Sequence, residues 1–184
     1  MLLKSERLIL WPINAKDIEW LRETRNKNKD KFFDTGEISK EQQRVWYEKY
    51  QDCKTDQMFI IRLKSGQSIG TIALYNIDIG KRIAILGRVL LLDEYRGNGY
   101  AEEAVKSMLD LAFNSMCLFK IRVEVFEDNK DAIAIYNRSG FKMLTRPILI
   151  MEKINNDINW NAPIKIESYD DMSDSYEGQN TNVA

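Results

Sequence analysis

Hydrophobic and polar positions along the chain predict a domain in which strands come first and then alternate with helices. Alternating or continuous apolar runs indicate strands at 2–13, 58–63, 68–75, 82–92, 120–126 and from Phe141 onward. Apolar residues at helical spacing indicate helices after Asp17, after Ser39, at 101–116 and at 131–139. Ser39-Lys40-Glu41-Gln42 is a capping-box pattern. This order of elements predicts an α+β fold around a mixed sheet.

The composition changes after Asn155. Residues 155–184 carry a net charge of −5, and the residues before them carry +4. The last segment is rich in Asn, Asp and Ser, so we predict one domain over 1–154 and an acidic, largely disordered tail over 155–184. A mildly basic body favours a polyphosphate ligand, but the bias is too weak to indicate nucleic acid.

The residue types that are present limit the chemistry. The chain has no histidine, which excludes Ser-His and Cys-His triads and most zinc sites, so we expect no metal. The two cysteines are expected to be reduced thiols. No apolar run approaches the roughly 20 residues that span a bilayer, and charge appears too early for a signal peptide. We therefore expect a cytoplasmic protein that does not contact membranes.

The turn between the strand at 82–92 and the next helix is the strongest candidate for a binding site. Its sequence is Arg96-Gly97-Asn98-Gly99-Tyr100-Ala101. Glycines permit a sharp turn and the close approach of a ligand, and free N–H groups at a helix start favour a phosphate. Arg96 adds a fixed cation. The spacing fits neither a Rossmann fingerprint nor a P-loop, so the turn alone predicts an anion site, with an ordinary strand-to-helix turn as the alternative.

A second block of residues makes the pattern specific. Arg96, Gly99 and Ala101 are followed by a block that contains Asn129, Ala132, Ile133 and Tyr136 and ends in Gly140-Phe141. With the usual distance between them, these blocks resemble the GNAT family, the Gcn5-related N-acetyltransferases, over roughly residues 5–153. The resemblance implies a GNAT fold, with a mostly antiparallel central sheet flanked by helices and strands that splay at the CoA site. It also implies an enzyme that transfers an acetyl group from acetyl-CoA, its co-substrate, to an amine.

The resemblance implies roles for individual residues on the cofactor side. The pantetheine arm would pair with the central strand at Leu90, Leu91 and Leu92, where a backbone N–H would polarise the thioester carbonyl. The pyrophosphate would lie on Arg96, Gly97, Asn98, Gly99, Tyr100 and Ala101. Asn129 and Ala132 would contact the pantetheine region, and the phenol of Tyr136 would protonate the leaving thiolate. A packed core tyrosine is the alternative interpretation of Tyr136.

The sequence leaves the catalytic base open. Related proteins often carry an acidic residue near the position of Ile85, where this chain has an aliphatic side chain. Asp78, at the end of the preceding strand, is one candidate for the base. A water chain from Tyr75 or from Glu124 is another.

The acceptor is the least specified part of the prediction. The opening Ser5-Glu6-Arg7-Leu8 resembles acetyltransferases of ribosomal-protein N-termini, whereas Arg25, Trp46 and the Gly87-Arg88-Val89 triplet resemble enzymes that acetylate nucleotide-linked deoxyamino sugars. Trp46 would stack on a base or sugar, and Arg25 or Arg88 would contact a phosphate. A core position for Trp46 and a solvated Arg25 are the alternative.

These residues, together with Tyr75, predict an amino-sugar nucleotide as the acceptor. A protein N-terminus, a polyamine and a non-catalytic acetyl-CoA sensor are the alternatives. After Phe141 the chain passes almost at once to the next apolar run, so the hairpin that often walls the acceptor site in the family is missing or very short. The acceptor side is therefore expected to be open, covered by the tail, or completed by a second subunit in a homodimer.

Overall fold

The computed structural model describes residues 2–144 and 148–154. The tail predicted over 155–184 lies outside the described residues. The described residues divide into two compact units, one formed by residues 2–13, 53–144 and 148–154 and the other by residues 14–52.

The first unit, in its described part, contains an eight-stranded sheet. The strands are β1 (Leu3–Lys4), β2 (Leu8–Pro12), β3 (Gln57–Leu63), β4 (Ser68–Asp78), β5 (Ile83–Leu91), β6 (Lys120–Phe126), β7 (Lys142–Met143) and β8 (Ile148–Ile154). They lie in the order β1-β2-β3-β4-β5-β6-β8-β7. β5 and β6 are parallel, and the other neighbours are antiparallel. The prediction of an α+β fold with a mixed, mostly antiparallel sheet is confirmed.

The α-helices of the described residues are α1 (Ile18–Lys27) and α2 (Lys40–Asp52) in the second unit, and α3 (Tyr100–Asp110) and α4 (Lys130–Arg138) in the first. α3 begins one residue before the predicted start, and a π-helical turn follows it at Leu111–Ser115. In the described ranges, no helix combines the length and the apolar character that crossing a membrane requires.

The core of the first unit lies between α3, α4 and one face of the sheet. Alternate residues of the strands, such as Leu74, Leu86 and Val123, are buried together with Val105 and Met108 of α3. Side chains of neighbouring strand residues point to opposite faces of a sheet. Ala73 and Tyr75, the neighbours of Leu74 in β4, therefore project from the other face.

The parallel strands β5 and β6 separate after a short pairing. Ile83 to Ile85 pair with Lys120 to Arg122. Beyond them, β5 continues beside β4 as far as Leu91, while β6 continues beside β8. Arg88 has a φ of +50° and lies where the register between β4 and β5 shifts, which marks a β-bulge. Because a bulge bends its strand, β5 turns away from β6, and the predicted splay is present.

The second unit contains α1 and α2. The amide of Asn26 donates to the carbonyl of Ile38 at 2.8 Å and accepts from the N–H of Ile38 at 2.9 Å, which fixes the connection between the two helices. At the start of α2, the Ser39 hydroxyl accepts from the N–H of Gln42 at 3.1 Å, and the Gln42 side chain accepts from the N–H of Ser39 at 2.8 Å. The predicted capping box is confirmed.

Candidate active site

The turn after β5 holds its two glycines in the left-handed backbone region. The φ angles of Gly97 and Gly99 are +74° and +78°, which residues with a Cβ avoid. Gly99 is the N-cap of α3 and makes no side-chain cap, and the first helical bond runs from the N–H of Glu103 to the Gly99 carbonyl at 3.1 Å. The N–H groups of the first turn therefore have no partner within the helix, which is the arrangement that binds a phosphate.

Arg96 lies at the edge of this turn. Its Nε donates to the Leu91 carbonyl at 3.3 Å and lies 3.1 Å from Oδ1 of Asp93. The Asn98 amide donates to the Arg96 carbonyl at 3.0 Å, which tightens the turn from within. The Arg96 side chain is 44% exposed, so its guanidinium is held in place and still reachable by a ligand.

In β5, the residues whose backbone N–H and C=O groups face the splay are not the predicted ones. The N–H of Leu92 donates to the Ile69 carbonyl of β4 at 2.9 Å. Because backbone groups of successive strand residues point to opposite neighbours, Leu90 also faces β4, whereas Val89 and Leu91 face the side where β6 has departed. The structure therefore favours Val89 and Leu91, rather than Leu90 and Leu92, for pairing with the pantetheine arm.

α4 carries the other residues predicted for the cofactor side. Asn129 is its N-cap, and its side-chain oxygen accepts from the N–H of Ala132 at 3.1 Å. A contact of Asn129 with the pantetheine would therefore come from its amide nitrogen. The Tyr136 ring is 5% exposed and packs edge to face against Phe141, with centroids 5.5 Å apart. Burial, with a smaller contribution from Tyr75, raises the pKa of Tyr136, so the phenol is protonated at neutral pH and can serve as a donor.

A second group of polar residues lies around Tyr75, at the bulge of β5. A Cβ at Gly87 would lie 2.9 Å from Cε1 and from the hydroxyl of Tyr75, so this ring covers the glycine. The Arg88 guanidinium lies 4.8 Å from the centroid of the same ring. Nη1 of Arg88 donates to Oδ2 of Asp56 at 2.7 Å. We call Asp56, Tyr75, Gly87, Arg88 and Glu124 the acceptor cluster.

The charges of the acceptor cluster favour a cation. Burial, reinforced by the Glu124 carboxylate, raises the pKa of Tyr75 to about 12. Tyr75 is therefore a neutral donor at physiological pH, which argues against it as a base. Burial also raises the pKa of Asp56, and the ion pair with Arg88 opposes that shift. Oδ1 of Asp56 is buried and has no hydrogen-bond partner among the described residues, which is an uncommon state for a buried carboxylate oxygen.

Asp56 was not among the residues predicted from the sequence. It precedes β3 in a polar stretch, and no local motif marks it. Gln57 pairs with Leu74 and Tyr75 pairs with Ile85, so strand register alone brings Asp56 beside Tyr75. A signal for it would have required the pairing of β3 with β4.

Asp78, one candidate for the base, and Ile85, where related proteins often carry an acidic residue, are not members of the acceptor cluster. Oδ1 of Asp78 accepts from the N–H of Lys81 at 2.8 Å and so stabilises the turn between β4 and β5. Asp78 is paired with Ile83, eight residues from Leu91, which corresponds to roughly 26 Å along an extended strand. Ile85 is 1% exposed and belongs to the apolar interior. The structure thus separates Asp78 from the glycine turn.

Arg25 and Trp46, predicted to bind the acceptor, belong to the second unit. Arg25 is 8% exposed, donates to the Asp34 carbonyl and lies 4.6 Å over the ring of Phe32. Trp46 stacks on Tyr50 with centroids 5.2 Å apart. Arg25 is therefore buried rather than solvated, and a phosphate contact would have to compete with its present partners.

A splayed parallel strand pair that faces a glycine turn at a helix N-terminus defines a CoA-dependent acyltransferase fold. The model of the acetyltransferase (GNAT) domain matches residues 7–142. The chain therefore belongs to the GNAT acetyltransferase family, which uses acetyl-CoA as co-substrate. The predictions of the family and of the fold are confirmed, and membership of the family supports the predicted enzyme class and co-substrate.

The chain is also similar to individual members of the family. It is 29% identical over 97 residues to spermidine N(1)-acetyltransferase of Escherichia coli K12, a match that covers 53% of this chain and 51% of the relative. It is 26% identical over 95 residues to the spermidine N(1)-acetyltransferase of Vibrio cholerae, covering 52% of this chain and 54% of the relative. The matches thus span about half the length of these curated relatives.

A solved structure supports the fold over more of the chain. The crystal structure of spermidine N-acetyltransferase from Vibrio cholerae, in complex with CoA and spermine, superimposes with a TM-score of 0.75. The superposition covers 80% of this chain and 95% of the other at 20% sequence identity. At this identity the likeness shows the fold alone.

Proposed function

We propose that the protein is an acetyl-CoA-dependent N-acetyltransferase whose acceptor is an aliphatic polyamine. The observation that carries the proposal is the acceptor cluster, in which the carboxylates of Asp56 and Glu124 both interact electrostatically with the phenol of Tyr75. Carboxylates in a partly buried site favour the charged form of an ammonium group. The similarity to spermidine acetyltransferases supports the same class of acceptor.

The Asp56 carboxylate is the anchor for the acceptor in this proposal. Oδ2 is engaged by Arg88 at 2.7 Å, whereas Oδ1 is buried without a partner among the described residues. An ammonium N–H would supply the missing hydrogen bond and compensate the burial of this oxygen. Tyr75 stays protonated, and its hydroxyl oxygen would accept a hydrogen bond from the same ammonium group.

The chemical step needs a neutral amine. In the proposed reaction, Glu124 takes one proton from the acceptor ammonium through water, and the amine nitrogen then attacks the thioester carbonyl carbon. A C–N bond forms, the C–S bond breaks, and the CoA thiolate leaves. Tyr136 donates its proton to the sulfur, and the amide product loses the remaining nitrogen proton to the solvent. Asp78 is the weaker candidate for the base, because it lies in the turn at the other end of β5.

An amino-sugar nucleotide has less support as the acceptor. Such a ligand needs cations that are free to meet its phosphates, yet Arg88 is paired with Asp56 and Arg25 is buried against Phe32. The acceptor cluster offers carboxylates instead, which repel a diphosphate.

A thiol-release assay with acetyl-CoA tests the proposal on the chain of 184 residues. The panel contains a linear triamine, a linear diamine, a peptide with a free N-terminus and an amino-sugar nucleotide. We expect the highest kcat/KM with the triamine. Faster turnover of the peptide or the sugar nucleotide would overturn the choice of acceptor, and tight CoA binding without turnover of any amine would indicate a sensor.

A further inference from the structure

Arg7, in the turn between β1 and β2, contacts the glycine turn with its side chain. Its Nη1 donates to the carbonyl of Asn98 at 2.8 Å, and its guanidinium lies 4.7 Å over the ring of Tyr100. Asn98 is more than ninety residues away along the chain, at the centre of the turn. One side chain therefore contacts the turn both at its backbone and at the first residue of α3.

The position of Arg7 is itself fixed by a carboxylate of α3. Glu103 accepts from the backbone N–H of Arg7 at 2.7 Å, from its Nε at 2.7 Å, and from the Ser5 hydroxyl at 2.8 Å. Burial opposes the charged form of Glu103, but these hydrogen bonds outweigh it, and the pKa of Glu103 is lowered. The carboxylate is therefore ionised and holds Arg7 by charge-assisted bonds at two points, the Nε of the guanidinium and the backbone N–H.

The absence of a side chain at Gly99 makes this arrangement possible. A Cβ there would lie 3.3 Å from Nη2 of Arg7, and the φ of +78° already disfavours any other residue. The same glycine thus serves the turn in two ways, since it adopts the left-handed conformation and leaves room for the guanidinium.

Arg7 also changes the charge of the anion site. The first turn of α3 carries two carboxylates, Glu102 and Glu103, which would repel a pyrophosphate bound at the helix start. Glu102 is paired with Lys106 and Arg138, and Glu103 with Arg7. Because both carboxylates are in ion pairs, they oppose a bound pyrophosphate less than free carboxylates would.

We propose that Arg7 is a positioning residue for acetyl-CoA, which holds the Asn98 carbonyl and Tyr100 so that the N–H groups of the turn face the pyrophosphate. This inference rests on the proposed placement of the pyrophosphate at the turn. Arg7 acts through the turn and takes no part in bond making or breaking. Lysine cannot replace it, because a single ammonium group lacks the forked N–H donors with which the guanidinium reaches both the Asn98 carbonyl and the Glu103 carboxylate.

The test compares two thioesters in the wild type, Arg7→Ala and Arg7→Lys. S-Acetylpantetheine carries the reacting group without the pyrophosphate, so a positioning role at the turn predicts a loss confined to acetyl-CoA. We expect about a tenfold rise in KM for acetyl-CoA in Arg7→Ala, on the scale of a lost charge-assisted bond, little rescue in Arg7→Lys, and unchanged kcat/KM for S-acetylpantetheine. Arg44→Ala, which removes an exposed arginine that pairs within α2, is the control.

Hydrogen exchange of the CoA-free protein supplies a readout that does not depend on turnover. We expect faster exchange at residues 97–101 in Arg7→Ala and unchanged exchange in β3 to β6. An equal loss with both thioesters, or unchanged exchange at the turn, would overturn the positioning role. If the wild type itself does not prefer acetyl-CoA to S-acetylpantetheine, the placement of the pyrophosphate fails, whatever the Arg7 variants show.

Discussion

The glycine turn and the acceptor cluster lie in the same unit, but they are built in different ways. The turn is made of consecutive residues from Arg96 to Ala101, and most of its candidate ligand contacts are backbone N–H groups. The acceptor cluster joins side chains from four places in the sequence, between Asp56 and Glu124. One half of the site is local and the other is assembled by the sheet.

This difference indicates how each half can vary. A backbone site depends on two glycine conformations and on the helix that follows, so many sequences can form it. A side-chain site depends on the register between β3, β4 and β5, where one residue of slip would turn each side chain to the opposite face. The local half therefore suits the co-substrate that the whole family shares, and the assembled half suits an acceptor that differs between members.

The largest effect is expected at the Tyr136 phenol, the proposed proton donor. Tyr136→Phe should lower kcat by one to three orders of magnitude, because the thiolate loses its proton donor. The affinity for acetyl-CoA should change little, since the ring still packs against Phe141. Stopped-flow thiol release gives the rate, and calorimetry gives the affinity. Wild-type turnover in the variant would return Tyr136 to a purely packing role.

Glu124→Gln should lower kcat about a hundredfold at pH 7, on the scale of a lost general base. The deficit should shrink as the pH rises towards about 10, because more of the acceptor amine is then neutral in solution. A pH–rate profile of the variant beside the wild type measures this. Glu48→Gln, at an exposed position of α2, is the matched control. A deficit that is the same at every pH would argue against Glu124 as the base.

Asp56→Asn should weaken the binding of the acceptor without changing the binding of the co-substrate. Loss of the carboxylate should raise KM for the polyamine about tenfold, the equivalent of about 1.4 kcal/mol, and leave KM for acetyl-CoA unchanged. Initial rates with each substrate varied in turn measure both constants. Asp110→Asn, in α3, serves as the control, and a melting curve checks that Arg88 without its partner has not destabilised the fold. A rise in both KM values would remove Asp56 from the acceptor half.

Arg96→Ala should have the smallest effect, and unlike Asp56→Asn it should change KM for acetyl-CoA rather than KM for the acceptor. The side chain is 44% exposed, so its contribution to phosphate binding is screened by solvent and is expected to be about 1 kcal/mol, or roughly fivefold in KM for acetyl-CoA. KM for the acceptor should not change. The loss should decrease as salt is added. If the mutation and salt both leave the affinity for acetyl-CoA untouched, the pyrophosphate does not lie on this turn.

Elements with a local signature were predictable from the sequence. The capping box at Ser39, the helix at Tyr100 and the strands β3 to β6 each follow from patterns within a short window. The two-residue strands β1 and β7 carry no such pattern, because pairing with a neighbour is what defines them. The backbone register of β5 was also out of reach, since the bulge at Arg88 shows only in its pairing with β4.

The sequence by itself determined the family and the glycine turn, because the conformations of Gly97 and Gly99 and the helix start are properties of neighbouring residues. The tertiary structure decided which side chains meet. It brought Asp56 to Arg88 across 32 residues and Arg7 to Asn98 across 91. It also placed Asp78 in the turn between β4 and β5 and Arg25 in a buried contact with Phe32. The physical reason is that hydrogen bonds and ion pairs act over a few ångströms in space, whatever the separation of their partners along the chain.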